Sequence, residues 1–175
     1  MAGNCALTQD YNFGCDVGIG GTKEAYIIEL ENISSYTESS GTLTAITKAT
    51  GKVFRKYQLV LETANFKEDI TGNRQNGTLF YPQTGVIIIN KQNVAVRNEI
   101  LLLAKNRLAI VIKDNNLTYR LYGREFGMML QTGSADTGTA WGDRNGYTLN
   151  FTGNELELAP FVSDAVIATL QTPGT

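Results

Sequence analysis

The chain has 175 residues, of which 42% are hydrophobic and 18% are charged; its net charge is −2 and it contains no histidine. This length predicts one domain whose core needs no metal or disulfide, and the acidic balance argues against a basic surface that would bind nucleic acid. Without histidine, serine triads, Cys-His dyads and histidine-based zinc sites are excluded. We therefore expect no enzyme, no cofactor and no metal.

The first part of the chain predicts an arm followed by strands. Residues 1–22 are rich in glycine and lack periodicity, which is typical of an extended arm. They have no basic head or apolar stretch of the secretory kind, so we expect no signal peptide. The segment 34–41 predicts a flexible connection. Apolar and polar residues alternate, or β-prone residues dominate, in three segments that predict strands: 24–33, 42–50 and 52–63.

The middle of the chain predicts a protrusion, a strand and a helix. The polar segment 64–77, with turn signals at Gly72 and Asn76-Gly77, predicts a protruding loop or the end of an extended hairpin. Residues 78–91 predict a strand buried on both faces around Val86–Ile89. The apolar period then changes, and a helix is expected near residues 94–107.

The last part of the chain returns to strands. Residues 108–123 predict a hairpin that turns near Asp114 to Asn116, where asparagine tolerates a positive φ. A short strand is expected within 124–133, and a turn-rich loop follows at 134–146. Two further strands are expected, one from residue 147 onward and one at 165–170.

Many short strands with one substantial helix predict a mainly β (α+β) fold. The spacing of strands and turns favours an antiparallel β-sandwich or barrel. It differs from the alternating strand–helix order of a nucleotide-binding sheet. The predicted domain covers residues 23–175, with the arm 1–22 before it.

The motif "GIGGTK" at Gly18–Lys23 raises the possibility of a phosphate loop. Sugar kinases of the actin-like superfamily begin in this way, but Gly18 stands where their metal-binding Asp is expected. The second kind of phosphate loop, with the pattern GxxxxGK(S/T), would have to lead into a helix, whereas Lys23 leads directly into a predicted strand. A glycine-rich lead-in to the first strand is the better interpretation.

Other candidate sites are also weak. Asp136, Asp143 and Asn145 offer oxygen ligands, but they lack the spacing of a calcium loop. Glu155 and Glu157 point the same way on a predicted strand without further catalytic groups. Cys5 and Cys15 can either form a disulfide or stay reduced. A sugar site would need exposed aromatic side chains to converge; the candidates are Tyr11, Phe13, Tyr36 and Trp141.

Three stretches resemble structural proteins of phages and prophages of Bacteroidetes. They are "GCDVGIGGTKEAYIIELENI", "NEILLLAKNRLAIVIKDNNLTYRLYGREFGM" and "TGTAWGDRNGYTLNFTGNE", which together span most of residues 14–159. The order of strands, helix, hairpin and final strands is similar to that of phage tail tube proteins.

This resemblance implies a virion structural protein that is made in the bacterial host cytoplasm and resides in the tail. Its subunits would form stacked, six-membered rings around a conduit for DNA, with partners among its own copies and other tail proteins, no sequence-specific DNA binding and no membrane. The arm and the segment 64–77 would reach between subunits. The expected apolar anchors of this subunit interface are Tyr11, Phe13, Phe66 and Ile70.

Three alternatives stay open. A tail completion or connector subunit would share the same sandwich. A monomeric ligand- or carbohydrate-binding sandwich would need clustered aromatics with nearby polar groups. A small carboxylate-dependent enzyme would need a pocket that gathers distant Asp and Glu side chains.

Overall fold

The computed structural model describes residues 7, 9–12, 14–15 and 17–174. It confirms the predicted mainly β, α+β fold of sandwich type. The elements in chain order are β1 Thr22–Glu29, a 3-10 turn Leu30–Asn32, β2 Ile33–Ser39, β3 Thr42–Lys48, β4 Arg55–Gln58, β5 Asn65–Glu68, β6 Thr71–Asn73, β7 Thr78–Asn90, α1 Val94–Leu103, β8 Leu108–Asp114, β9 Tyr119–Tyr122, β10 Met129–Asp136, β11 Gly146–Glu155, β12 Phe161–Val162 and α2 Asp164–Leu170.

The strands form two sheets. The seven-stranded sheet has the order β2-β3-β12-β9-β8-β1-β4. The second sheet has five strands: four in the order β10-β11-β7-β5, and β6, which pairs with the first residues of β7. All pairings between these strands are antiparallel except that of β12 with β3. The second sheet covers one face of the first, as predicted for a sandwich.

The seven-stranded sheet is buried on both faces. Ala25 and Ile27 of β1 pack with Ile87 of β7 and Leu149 of β11 between the sheets. Their neighbours on β1, Tyr26 and Ile28, belong to a second core on the opposite face. Because successive side chains of a strand point to opposite faces, a continuous apolar run such as "AYII" is what a doubly covered strand requires.

The helix α2 covers the second core, and the predicted strand at 165–170 is wrong. Val166 and Leu170 are buried against the sheet, and their spacing of four residues places both on one helical face. The buried amine of Lys48 donates to the carbonyl oxygens of Thr169, Leu170 and Thr172 at the C-terminal end of this helix. The β-prone composition of the tail gave no sign of these tertiary contacts.

The predicted helix α1 is confirmed but ends earlier, at Leu103. The side chain of Asn93 accepts the backbone N–H of Val96, which caps the N-terminus as expected. Leu103 and Ile100 pack against the core between the sheets.

Two connecting segments differ from expectation. Residues 34–41, predicted as a flexible connection, form most of β2 and a tight turn at Ser40 and Gly41, both with positive φ. The polar residues of β2 suit an edge strand, which solvent reaches on its open side. In the turn between β8 and β9 the positive φ belongs to Leu117 and not to an asparagine.

Candidate functional site

The two-layer arrangement leaves the outer face of the five-stranded sheet uncovered. Ile87, Leu149 and Phe151 point into the core, so their neighbours along β7 and β11 point away from it. Register extends this face to β10 and β5, because residues directly opposite each other share a face: Ser134 pairs with Thr148, and Lys67 pairs with Thr84.

This outer face is polar but almost uncharged. Only Lys67 and Asp136, at opposite corners, are ionisable. The Asn150 amide donates to Thr132 Oγ1 over 3.1 Å, and the Thr152 hydroxyl donates to Gln131 Oε1 over 3.0 Å. The side chains of the outer face are Asn65, Lys67, Pro82, Thr84, Val86, Ile88, Met129, Gln131, Thr132, Ser134, Asp136, Thr148, Asn150, Thr152 and Asn154.

The strand β10 is an unprotected sheet edge. It runs for 8 residues beside β11, is largely exposed, and carries no charge before Asp136 at its end. Three other edge strands of the described chain carry charge within their spans: Arg55 and Lys56 in β4, Glu38 in β2, and Lys67 with Glu68 in β5. The edge strand β6 is also uncharged, but it has only 3 residues. Charged side chains on an edge discourage pairing with another chain, and β10 lacks this protection.

One of the two charges of the β4 edge, that of Lys56, is engaged within the chain. Lys56 Nζ lies 2.8 Å from Glu24 Oε1, and the Tyr26 hydroxyl donates to the same carboxylate. The hydrogen bond from Lys56 is the main cause that lowers the pKa of Glu24. The β4 edge therefore presents charged side chains, which β10 lacks before Asp136.

The segment predicted to protrude is an extended hairpin. β6 pairs with the first residues of β7, and residues 69–80 are exposed throughout. Ile70 lies near its base with 66% of its surface exposed. Phe66 lies differently: its ring is half-buried, 5.2 Å from the Tyr122 ring, and packs on the core of its own chain. The roles of Ile70 and Phe66 at a subunit interface stay predictions.

The arm has no regular secondary structure in its described residues, and Tyr11 is exposed there. Phe13 and Cys5 lie outside the described residues, while Cys15 is exposed. The base of the arm is held by the β8–β9 turn: Asn116 bonds both the N–H and the carbonyl of Ile19, and Asn115 bonds the carbonyl of Gly20. The glycine motif leads directly into β1, as expected.

An apolar groove of about 830 Å³ crosses one end of the outer face. Its floor includes Gln83, whose side-chain oxygen accepts the N–H of Gly123. Glu155 is 3% exposed, and its two oxygens accept the backbone N–H groups of residues 125–127. These two polar side chains are thus hydrogen-bonded within the chain. The apolar side chains that line the groove are Phe80, Pro82, Phe126, Met129 and Leu156.

An acidic cluster surrounds one guanidinium beside this groove. Arg124 Nη1 pairs with Glu38 and lies 3.9 Å from Glu157 Oε2, and Arg124 Nε lies 3.3 Å from Glu125 Oε1. It also stacks over the Tyr36 ring at 5.7 Å. The Tyr36 hydroxyl is buried without a hydrogen-bond partner in the described chain, and this burial raises its pKa. Three carboxylates against one cation leave the cluster negative.

The candidate calcium ligands serve the loop that joins β10 to β11. Asp143 accepts the backbone N–H groups of Thr139 and Ala140, which lowers the pKa of its carboxyl, and Asp136 accepts that of Gly138. Within the described residues no group of three or more metal-ligating side chains occurs. Trp141 at the tip of this loop is fully exposed, whereas Tyr36 is half-buried on β2.

Comparison with known proteins leaves the chain unassigned: no family model, curated protein or solved structure matches it. Among the described residues, neither helix is long and apolar enough to cross a membrane.

Sequence reasoning ended the edge strand too early and missed the groove. It placed residues 134–146 in a loop, although β10 continues to Asp136. The available signal was the alternation of Thr132, Ser134 and Asp136 opposite the equally polar face of β11. The groove had no local signal, since its apolar residues come from three separate segments.

Proposed function

We propose that this chain is a virion structural protein, a phage tail tube subunit whose copies form stacked, six-membered rings around a conduit for DNA. The observation that carries this proposal is the uncharged, unprotected edge of β10. An open edge of this length is a liability in a monomer. It ceases to be one when a second chain pairs with it.

The ring follows from the two unlike edges of the five-stranded sheet. The charges of β5 are paired within their own chain, Lys67 with Asp69 and Glu68 with Arg120, so they leave no net charge against a partner. Pairing β10 of one copy with the β5 edge of the next is a heterologous contact, and such contacts generate rings when the rotation closes. The exposed hairpin 69–80 and the arm then lie free to reach neighbouring subunits. A connector or completion subunit of the tail would use the same edges with a different partner.

The conduit follows from the outer face, which would line the lumen of such a ring. DNA carries a phosphate charge along its whole length, and lysine or arginine side chains would retain it. A wall of hydroxyl and amide groups with one lysine per subunit offers few such contacts. The proposed location is accordingly the virion tail.

Light scattering coupled to size exclusion, followed by negative-stain imaging, tests the proposal on the purified chain. Rings or tubes about 100 Å across are expected. A monomer of 19.1 kDa that persists at the highest reachable concentration would contradict it, unless a connector needs its partner to assemble, which co-purification with tail proteins would show.

A carbohydrate-binding module is the second candidate, because the groove places Phe80 and Phe126 near the amides of Gln131 and Asn154. Aromatic faces beside amide groups are one way in which protein pockets bind sugars. This function requires a monomer that binds oligosaccharides, with loss of binding in Phe126→Ala.

A further inference from the structure

Trp141 is the most exposed of the large hydrophobic side chains in the described residues. It lies at the tip of the loop between β10 and β11, and its whole side chain is exposed. The loop is held by the hydrogen bonds of Asp143 to Thr139 and Ala140. Because the backbone that carries Trp141 is already held, little of the loop must be ordered on binding, which favours a contact with a partner.

The apolar groove lies at the other end of the same strands. Met129 and Gln131 at the start of β10 line it, whereas Trp141 follows Asp136 at the end of β10. The strand has 8 residues, so groove and loop lie roughly 23 Å apart at about 3.3 Å per residue. Trp141 therefore cannot reach the groove of its own chain.

We propose that the loop of Trp141 docks into the groove of a second copy of this chain, stacked along the strand direction. This inference rests on the proposed function, because it names the contact that joins successive rings. A protruding apolar group that fits a pocket elsewhere on the same surface makes a head-to-tail contact, and such contacts repeat without closing. The groove volume of about 830 Å³ is large enough for an aromatic side chain and its flanking loop.

The charges beside the two surfaces are complementary. Glu125 and Glu157 flank the groove, and Arg124 neutralises them only in part because it also pairs with Glu38. Beside Trp141 the exposed Arg144 forms no ion pair with a described residue. Gln131 and Asn154 in the groove supply acceptors for the indole N–H.

The single tryptophan of the chain makes its fluorescence a direct measure of this contact. We expect the assembled chain to emit at shorter wavelength than dissociated subunits. Quenching by acrylamide should fall at least about threefold, because the indole enters a pocket that excludes water. The comparison uses full-length protein above and below its assembly concentration.

A groove variant and a matched control test whether the groove is the surface that binds the loop of Trp141. Leu156→Glu places a charge in the groove away from the β10 edge and should leave rings that do not stack, with Trp141 as accessible as in dissociated subunits. The matched control Leu101→Glu changes an exposed apolar residue on α1 and should stack as the unmodified chain does. Circular dichroism checks that both variants are folded.

The outcomes separate this contact from the proposed function. Tubes in which Trp141 stays as accessible as in single subunits would overturn the contact and leave the ring intact. An open filament with Trp141 protected would support the contact and overturn the ring, and a persistent monomer would overturn both. If removing residues 1–18 abolishes stacking and Trp141→Ala does not, the arm of another copy is the occupant and the proposal is wrong.

Discussion

Gly85 of β7 is a position where a single atom decides the packing. It lies opposite Phe66 of β5, and a Cβ added there would meet the Phe66 ring. The ring can therefore lie over the strand and contact Tyr122 in the core only because residue 85 is a glycine. Phe66 in this way holds the base of the protruding hairpin against the sandwich.

We expect Gly85→Ala to lower the free energy of unfolding by about 1–3 kcal/mol, because the added methyl group must displace the Phe66 ring. Chemical denaturation measures this loss. Gly20→Ala is the control, since a Cβ at Gly20 meets no atom, and it should change stability little.

A double-mutant cycle identifies the cause. In Phe66→Ala the same change at Gly85 should cost clearly less, because the clashing ring is gone. An equal cost in both backgrounds would show that backbone conformation, and not the ring, explains the effect.

At the scale of elements, β10 and β11 form a matched pair in which one strand is an edge and the other is central. Ser134 and Thr148 lie directly opposite each other on the outer face. A lysine at either position adds the same charge to the same face, but only the lysine at 134 stands on the open edge.

We expect Ser134→Lys to remain folded and monomeric, because an edge lysine opposes pairing with another chain. Thr148→Lys should still form rings. Light scattering of both variants, beside circular dichroism, measures the difference. Rings from Ser134→Lys as abundant as those from Thr148→Lys would remove β10 from the interface.

At the scale of the whole molecule, the buried tyrosine hydroxyls limit folding stability at alkaline pH. Burial is the main cause that raises the pKa of these phenols. Neighbouring carboxylates raise it further. Two lysines act in the same direction: the pKa of Lys56 is raised by its hydrogen bond to Glu24, and that of Lys113 by its hydrogen bond to Tyr119. Lys48, whose pKa is lowered by burial, acts in the opposite direction. The phenols concerned are Tyr26, Tyr36, Tyr57 and Tyr122.

Stability should therefore fall as pH rises above about 10, where the phenols of the unfolded chain lose their protons. The folded state binds more protons than the unfolded state in that range, so the free energy of unfolding decreases with pH. Each phenol contributes at most about 1.4 kcal/mol per pH unit. Urea denaturation at a series of pH values from about 8 to about 11 measures the slope.

A variant at Tyr36 tests this loss of stability at alkaline pH most directly, since the buried hydroxyl of Tyr36 has no hydrogen-bond partner in the described chain. Tyr36→Phe should retain its stability near pH 8 and lose less at alkaline pH, because removing an unpaired buried hydroxyl costs little. Tyr11→Phe in the exposed arm is the control. The same alkaline slope in both variants would contradict the assignment to Tyr36.

The alternation and apolar runs of this sequence determined most of its strands and α1 by themselves. Runs such as "AYII" and "LAIVI" bury side chains on both faces of a strand, and the asparagine before "VAVRNEI" caps a helix; both effects act over a few residues. Local physics of this kind can be read from the order of residues.

Tertiary structure alone decided the tail, the edge and the groove. Residues 165–170 are β-prone, yet they form a helix because Val166 and Leu170 find an uncovered apolar sheet face and Lys48 binds the carbonyl oxygens at its end. The groove needs three distant segments to meet. The open edge of β10 depends on which strands lie next to it. Such contacts join residues far apart in the chain, so no local pattern encodes them.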